Sequence, residues 1–116
     1  MDLTVTTDRM PDKGETVLGK EFATYPGGKG ANQAVAAQRL GALVHLIGAV
    51  GDDTFGNALL ANIRAEGIDT TGVEVKEGVA TGTATIILSE QDNRIIVAPG
   101  ANSYVTPDLV AKHESI

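Results

Sequence analysis

The chain has 116 residues, with 42% apolar and 21% charged side chains, which is typical of a single globular domain and not of a disordered chain. It contains no cysteine, which excludes disulfide scaffolds, thiolate metal sites and cysteine nucleophiles, and we expect a cytoplasmic location. The formal charge of −6 predicts no nucleic-acid partner, because a polyanion is bound by a basic face. No apolar run approaches the roughly 18 residues of a bilayer span, and the start lacks a basic signal segment, so no membrane partner is expected.

The first part of the chain is expected to be extended. Apolar residues alternate with threonines in 2–7, which predicts a strand. The segment 11–14 begins with proline and ends with glycine, which predicts a turn. Residues 15–25 then predict one or two extended segments interrupted at Gly19.

Two helix patterns frame a short apolar strand in the middle of the chain. A helix is expected over 31–40, ended by Gly41, and its small apolar residues predict close burial against a sheet. The apolar segment 43–50 predicts a buried parallel strand, and 54–66 predicts a second helix. This alternation predicts an α/β fold.

The remaining sequence predicts further strands and one more helix. A strand is expected over 73–75, and 83–88 and 94–98 form a predicted hairpin around 90–93. Thr106 precedes a proline and an aspartate, which predicts a helix that it caps.

A Gly-Gly-Lys-Gly loop at 27–30 directly precedes the first predicted helix. Glycines let a ligand approach the backbone, and a helix start offers unpaired N–H groups that suit anions or hydroxyl-rich ligands. The alternative is a tight turn that only needs positive φ, and the pattern leaves both open. Two nucleotide motifs do not fit: Ala23 stands where a Walker loop needs its first glycine, and Gln33 replaces the third glycine of the dinucleotide fingerprint.

Four other polar residues are predicted to be structural. Asp52 and Asp53 are adjacent, so their carboxylates do not face one another as metal ligands would, and Asp53 is expected to cap the second helix. His45 and His113 lack the partner spacing of a zinc site or a catalytic triad.

Longer motifs resemble one family. The run GGKGANQAVAA at 27–37, LGA at 40–42 and VGDDTFG at 50–56 resemble the first signature region of the ribokinase (PfkB-type sugar kinase) family. Segments 11–19 and 99–102 match it as well. The resemblance therefore covers essentially the whole chain.

The resemblance implies a ribokinase-like α/β fold, of which this chain is expected to be a fragment. Lid strands are expected at about 3–25 and 83–98, and core βα units at about 26–75 and 99–116. It also implies that the first strand and the C-terminal half, with the catalytic aspartate, the ATP pocket and a monovalent-cation site, lie outside this sequence. We therefore assign no catalytic or metal-binding residue here and expect the isolated chain to lack kinase activity.

The resemblance also implies an activity and a sugar site. The activity is ATP-dependent phosphorylation of D-ribose at its 5-hydroxyl, with Mg²⁺ and a K⁺-like ion expected for the complete enzyme and neither bound by this chain alone. Asp2 and Asn32 would hold ribose hydroxyls, and Lys29 would add a donor. Gly28 and Gly30 would allow the sugar to approach closely.

Other functions stay open from the sequence. The chain fits a non-catalytic sugar-binding module that forms a homodimer through the lid strands, because exposed strand edges can pair. It also fits a kinase for another sugar or a nucleoside, such as a fructokinase, since these share the Gly-Gly core. A truncated product that folds poorly is the third alternative.

Overall fold

The computed structural model describes residues 1–90 and 92–115. Within these ranges an α/β arrangement forms, as predicted, from six strands, three α-helices and one 3-10 helix. In chain order they are β1 Asp2–Thr6, β2 Glu21–Tyr25, α1 Lys29–Arg39, β3 His45–Gly51, α2 Thr54–Ala65, β4 Asp69–Lys76, β5 Thr83–Ser89, β6 Asp92–Ala98, the 3-10 helix Gly100–Tyr104 and α3 Pro107–Lys112.

The strands form two separate sheets. The larger is four-stranded in the order β2-β1-β5-β6, with β1 antiparallel to β2 and parallel to β5. Within it, Asp2 pairs with Tyr25 on one side and with Ala84 on the other. The smaller sheet is the parallel pair β3 and β4. Asp2 therefore stands at the end of the larger sheet where β5 begins.

The two long helices pack on the β3–β4 pair through a small apolar cluster. Ala34 of α1, Ile63 of α2 and Ile68 are buried together in it. The expectation that the whole first helix would be buried is wrong, since Ala34 is its one buried residue among the described residues. A sheet only two strands wide covers a single stripe of a helix, which leaves Ala31, Val35 and Ala37 half-buried and Ala36 exposed.

Local signals set most element ends. Gly41 follows α1 with a φ of 96°, as expected of a helix-ending glycine. Thr106 caps α3, because its hydroxyl accepts a hydrogen bond from the Leu109 amide at 3.3 Å. Helix α1 begins at Lys29 rather than at residue 31, so the lysine and third glycine of the loop belong to its first turn.

Several elements differ from the prediction because of pairing. Of the predicted extended segment 15–25, only Glu21–Tyr25 forms a strand, because Glu21 pairs with Thr6, the last residue of β1, and residues 15–20 have no strand to pair with. Strand β4 is longer than the expected 73–75, because it pairs along β3. The 3-10 helix was not predicted. Gln91 of the expected hairpin turn and the terminal Ile116 lie outside the described residues, while Asp92 and Asn93 belong to β6.

None of the helices in the described ranges is both long and apolar enough to cross a bilayer.

Candidate functional site

A cavity of about 490 Å³ is lined by residues of both sheets, α1, α2 and the 3-10 helix. Its volume falls in the range of about 300–1,000 Å³ found for small-molecule sites. Apolar side chains of β3 and α2 form one wall, among them Leu46, Ile47, Leu60 and Ile63. Polar residues of the lining include Asp2, Lys29, Thr81, Thr83 and Asn102.

The glycine loop forms one rim of this cavity. Gly28 is the N-cap residue of α1, and its φ of 99° explains why a glycine is needed there. No side chain caps the helix and its first turn carries no acidic residue. The amide of Asn32 donates to the Gly28 carbonyl at 2.9 Å. The preceding N–H groups, which belong to the cavity-lining residues 29–31, have no helical carbonyl and can point to a ligand.

Asp2 lies directly against this loop. A Cβ atom on Gly27 would be 2.4 Å from Asp2 Oδ1 and 2.8 Å from Oδ2, so only a glycine leaves room for the carboxylate. Asp2 is half-buried and lines the cavity. Strand β1 and the glycine loop, which are about 25 residues apart in sequence, thus bring a carboxylate acceptor and several N–H donors together.

The structure places four of the five expected site residues on this cavity: Asp2, Gly28, Lys29 and Gly30. A Cβ atom on Gly30 would meet nothing within 4 Å, so there is open space beside the backbone at that point. Asn32 is different, because it is exposed and is not among the lining residues. The sugar-binding role of each of the five stays a prediction.

Sequence reasoning missed a polar residue at the cavity, Asn102 of the 3-10 helix. A Cβ atom on Gly82 would overlap the Asn102 amide, with 2.2 Å to Nδ2, so the glycine makes room for this side chain. The Pro-Gly-Ala-Asn motif at 99–102 is part of the family resemblance, which implies no site role for it. The close approach to Gly82 was not visible in it, because Gly82 belongs to another segment of the chain.

The cap of α2 has a second function in the fold. Asp53 Oδ1 accepts from the Gly56 amide at 2.8 Å, which confirms the predicted cap. The same carboxylate also accepts from the Thr81 amide at 2.9 Å and from the Thr81 hydroxyl. The Thr81 hydroxyl, the Thr81 amide and the Gly56 amide, in that order, lower the pKa of Asp53 below its usual value. The Asp53 carboxylate therefore links α2 to the segment before β5 through hydrogen bonds to both.

The chain matches the family described as "pfkB family carbohydrate kinase" over residues 1–116. It belongs to that family. The ribokinase of Bacillus subtilis is 56% identical over 92% of this chain and 36% of that protein. The ribokinase structure from Giardia lamblia has a TM-score of 0.83 at 36% identity, and covers 98% of this chain and 35% of that one. Ribokinase from Arabidopsis thaliana complexed with ribose and ATP has a TM-score of 0.80 at 33% identity, over 87% of this chain and 33% of that one.

This pfkB-family chain therefore spans about a third of the length of these relatives. The matches confirm the family and the ribokinase-like fold class that the glycine loop and the VGDDTFG motif indicated.

A cluster of charges lies outside the cavity and ties the last helix of the pfkB-family chain to β4. Glu74 contacts Lys76 Nζ at 2.8 Å, His113 Nε2 at 2.8 Å and Lys112 Nζ at 3.2 Å. Hydrogen bonds from Lys76, His113 and Lys112 lower the pKa of Glu74 to about 2. None of these four residues lines the cavity, which agrees with a structural role for His113.

The site geometry suits a polyhydroxylated ligand. A carboxylate accepts two hydroxyl donors at once, while free N–H groups and a lysine donate to hydroxyl oxygens. Asp2 supplies the first, and the start of α1 with Lys29 supplies the others. In the part of the chain that the structure describes, no three His, Cys, Asp or Glu side chains are grouped to hold a metal ion.

Proposed function

We propose that this chain forms the sugar-binding part of a kinase that transfers the γ-phosphate of ATP to the 5-hydroxyl of D-ribose. The observation that carries the proposal is the juxtaposition of the Asp2 carboxylate with the glycine loop, both of which line the cavity. Membership of the pfkB family supports the reaction class, and the ribokinase relatives support ribose as the sugar.

Each expected residue has a distinct role in this proposal. Asp2 accepts hydrogen bonds from two ribose hydroxyls, and Lys29 donates to a ring or hydroxyl oxygen. Gly28 and Gly30 let the sugar reach the N–H groups at the start of α1. Asn32 donates to a further hydroxyl from the exposed side of the first turn, a contact that needs the sugar to extend beyond the cavity.

The four-stranded sheet is proposed to be a lid over the sugar, and the segments 26–75 and 99–116 the core that it covers. Two of its strands, β1 and β5, contribute Asp2, Thr83 and Ala84 to the cavity lining, which supports this division. A lid that excludes water protects a phosphoryl donor from hydrolysis.

ATP is the proposed phosphoryl donor, since the Arabidopsis thaliana relative was solved with ribose and ATP. Mg²⁺ and a K⁺-like ion are proposed to accompany it, because phosphoryl transfer depends on neutralising phosphate charge. No residue of this chain is assigned to either ion. The ATP requirement also supports the cytoplasm as the proposed compartment.

Isothermal titration calorimetry of the chain with ribose tests the sugar site. We expect saturable binding of ribose, with weaker binding of fructose. Absence of ribose binding, or tighter binding of fructose, would contradict the assignment.

An ADP-release assay then tests the reaction: we expect no turnover by this chain alone, and ribose-dependent turnover after addition of the separately produced C-terminal two-thirds of the Bacillus subtilis ribokinase.

A homodimer formed through the lid is proposed as well. Strands β2 and β6 are the edges of the four-stranded sheet, and edge strands carry unpaired backbone groups. Strand β6 is exposed along its length, with Ile96 at 69% and Val97 at 65% of full exposure. Sedimentation analysis is expected to give a dimer for the parent chain and a monomer for Ile96→Lys, and a monomeric parent would refute the dimer.

The same exposed edge favours a second candidate, a non-catalytic module that binds a sugar and dimerises. The two candidates differ in the complementation assay. Ribose binding and dimer formation without turnover in the presence of the Bacillus subtilis segment would favour the module over the kinase.

A further inference from the structure

One of the segments that join the four-stranded sheet to the rest of the chain is a short connector, residues 79–82, that leads from β4 towards β5. Asp53 holds the connector from the core side, through its hydrogen bonds to the amide and hydroxyl of Thr81. The Thr81 hydroxyl in turn accepts a hydrogen bond from the Gly51 amide at 2.9 Å. Because this hydroxyl both donates and accepts, and Thr81 is 4% exposed, its orientation is fixed.

Close backbone contacts clamp the connector on both sides. A Cβ atom on Gly51 would lie 2.0 Å from the Val79 carbonyl oxygen, and one on Gly100 would lie 2.3 Å from the Ala80 carbonyl oxygen. The Ala101 amide donates to the same Ala80 carbonyl at 2.8 Å. The connector that enters the four-stranded sheet before β5 and the segment that leaves it after β6 are therefore packed against each other.

The connector is close in sequence to the strand pairing that carries the proposed sugar ligand Asp2. Three residues after Thr81, Ala84 pairs with Asp2 in the parallel β1–β5 ladder. Asp2 then meets the glycine loop at Gly27. The position of Thr81 thus sets where β5 starts, and the start of β5 sets where the Asp2 carboxylate lies.

We propose that Asp53 and Thr81 are positioning residues that hold the Asp2 carboxylate against the glycine loop. Thr81 lines the cavity, but its hydroxyl donates to Asp53 and accepts from the Gly51 amide, so both residues are proposed to act on the sugar through β5 and not by contact with it. Helix capping alone accounts only for the bond from Asp53 to the Gly56 amide, whereas the two bonds to Thr81 reach out of the helix. The lowered pKa of Asp53 agrees with this, since its largest cause is the Thr81 hydroxyl.

The choice of ribose as the ligand rests on the proposed function, so the test has one measurement with ribose and one without it. Thr81→Val removes the hydroxyl and keeps the shape of the side chain, whereas Thr81→Ser keeps the hydroxyl. Amide signals of Asp2 and Gly27 are followed by NMR on the 116-residue chain, and the ribose Kd is measured by calorimetry well below the unfolding midpoint of every variant.

We expect Thr81→Val to shift the Asp2 and Gly27 signals and to raise the ribose Kd by about tenfold, the effect expected when a buried polar pair is broken. Thr81→Ser should stay within about twofold of the parent chain. Asp53→Asn should behave like Thr81→Val, because the asparagine NH₂ group would face a Thr81 donor where the carboxylate now accepts a hydrogen bond. Asp53→Asn also serves as the test variant if Thr81→Val does not fold. Asp52→Asn is the matched control, since Asp52 is exposed and its carboxylate accepts from the Gly78 amide instead.

A Thr81→Val chain of lower stability whose Asp2 and Gly27 signals and ribose Kd equal those of the parent would overturn the proposal. Equal impairment by Thr81→Ser and Thr81→Val would overturn it as well. If the parent chain does not bind ribose, the proposed function fails, and the NMR arm alone decides whether Thr81 positions Asp2.

Discussion

The carboxylate of Asp2 occupies the space that a side chain on Gly27 would need. A Cβ atom built on Gly27 falls 2.4 Å from Oδ1 and 2.7 Å from Cγ of Asp2. The contact involves the end of a side chain and not the backbone, so the carboxylate can turn away if it is displaced. The absence of a side chain at Gly27 thus leaves room for the Asp2 carboxylate in its observed position.

This contact predicts that Gly27→Ala separates binding from stability. Gly27 is not among the glycines with positive φ, so alanine fits its backbone. The added methyl group should move the Asp2 carboxylate and raise the ribose Kd by about tenfold or more, because hydrogen bonds to a charged group contribute about 1.5–3 kcal/mol. The free energy of unfolding, measured in urea, should change by about 0.5 kcal/mol or less.

A double-mutant cycle checks that Gly27 acts through Asp2. In an Asp2→Ala background the carboxylate is absent, so Gly27→Ala should add little to the ribose Kd. Two independent, additive effects would show that Gly27 influences binding by another route.

Glycines in contact with backbone atoms should behave in the opposite way. A Cβ atom on Gly51 would lie 2.0 Å from the Val79 carbonyl oxygen, and one on Gly56 would lie 2.1 Å from the Gly51 carbonyl oxygen. Neither oxygen can rotate away, so Gly51→Ala and Gly56→Ala should each cost about 1–3 kcal/mol of stability. Urea unfolding measures the loss, and an unchanged midpoint for either variant would contradict the observed packing.

The local elements of this fold were predictable because their signals are short in range. Asp53 and the amide it caps are three residues apart, and Gly41 directly follows the last turn of α1. The juxtaposition of Asp2 with the glycine loop followed only from the family resemblance. Nothing near Asp2 in the sequence marks a partner about 25 residues away.

Contacts between distant segments could not be predicted from the sequence. The hydrogen bonds between Asp53 and Thr81 join residues 28 positions apart, and the local sequence Thr81-Gly82 does not indicate a distant partner. The approach of Asn102 to Gly82 is similar, since it depends on how the chain returns from β6. Burial of α1 was overestimated for the same reason, because the width of the sheet beneath it is a tertiary property.

Asp2 and Asn32 should contribute unequally to sugar binding. Asp2→Asn retains size and loses charge, and it should raise the ribose Kd by about tenfold or more. Asn32 is exposed and does not line the cavity, so Asn32→Ala should raise the Kd by only about two- to fivefold, as for a neutral hydrogen bond that competes with water. Calorimetry on both variants checks the order, and a larger effect of Asn32→Ala would reassign the main sugar contact to the first turn of α1.

The charged cluster around Glu74 predicts how stability depends on pH. The pKa of Glu74 is lowered from its usual 4.5 to about 2 by Lys76, His113 and Lys112, so the folded chain favours the ionised carboxylate. This contribution to stability is complete above about pH 4.5 and is lost as the pH falls from there towards 2. Glu74→Gln removes it at every pH, because the amide does not ionise.

The unfolding midpoints of the parent chain and Glu74→Gln should therefore differ at pH 6 and converge as the pH approaches 2. Other carboxylates such as Glu15, whose pKa is also lowered to about 2 by Arg9, titrate in both chains and leave the difference unaffected. Glu77→Gln is a suitable control, since Glu77 is exposed and is not one of the groups that shift the pKa of Glu74. A difference between parent and Glu74→Gln that stays constant from pH 6 to pH 2 would mean that Glu74 stabilises the α3–β4 contact by packing, and not by its charge.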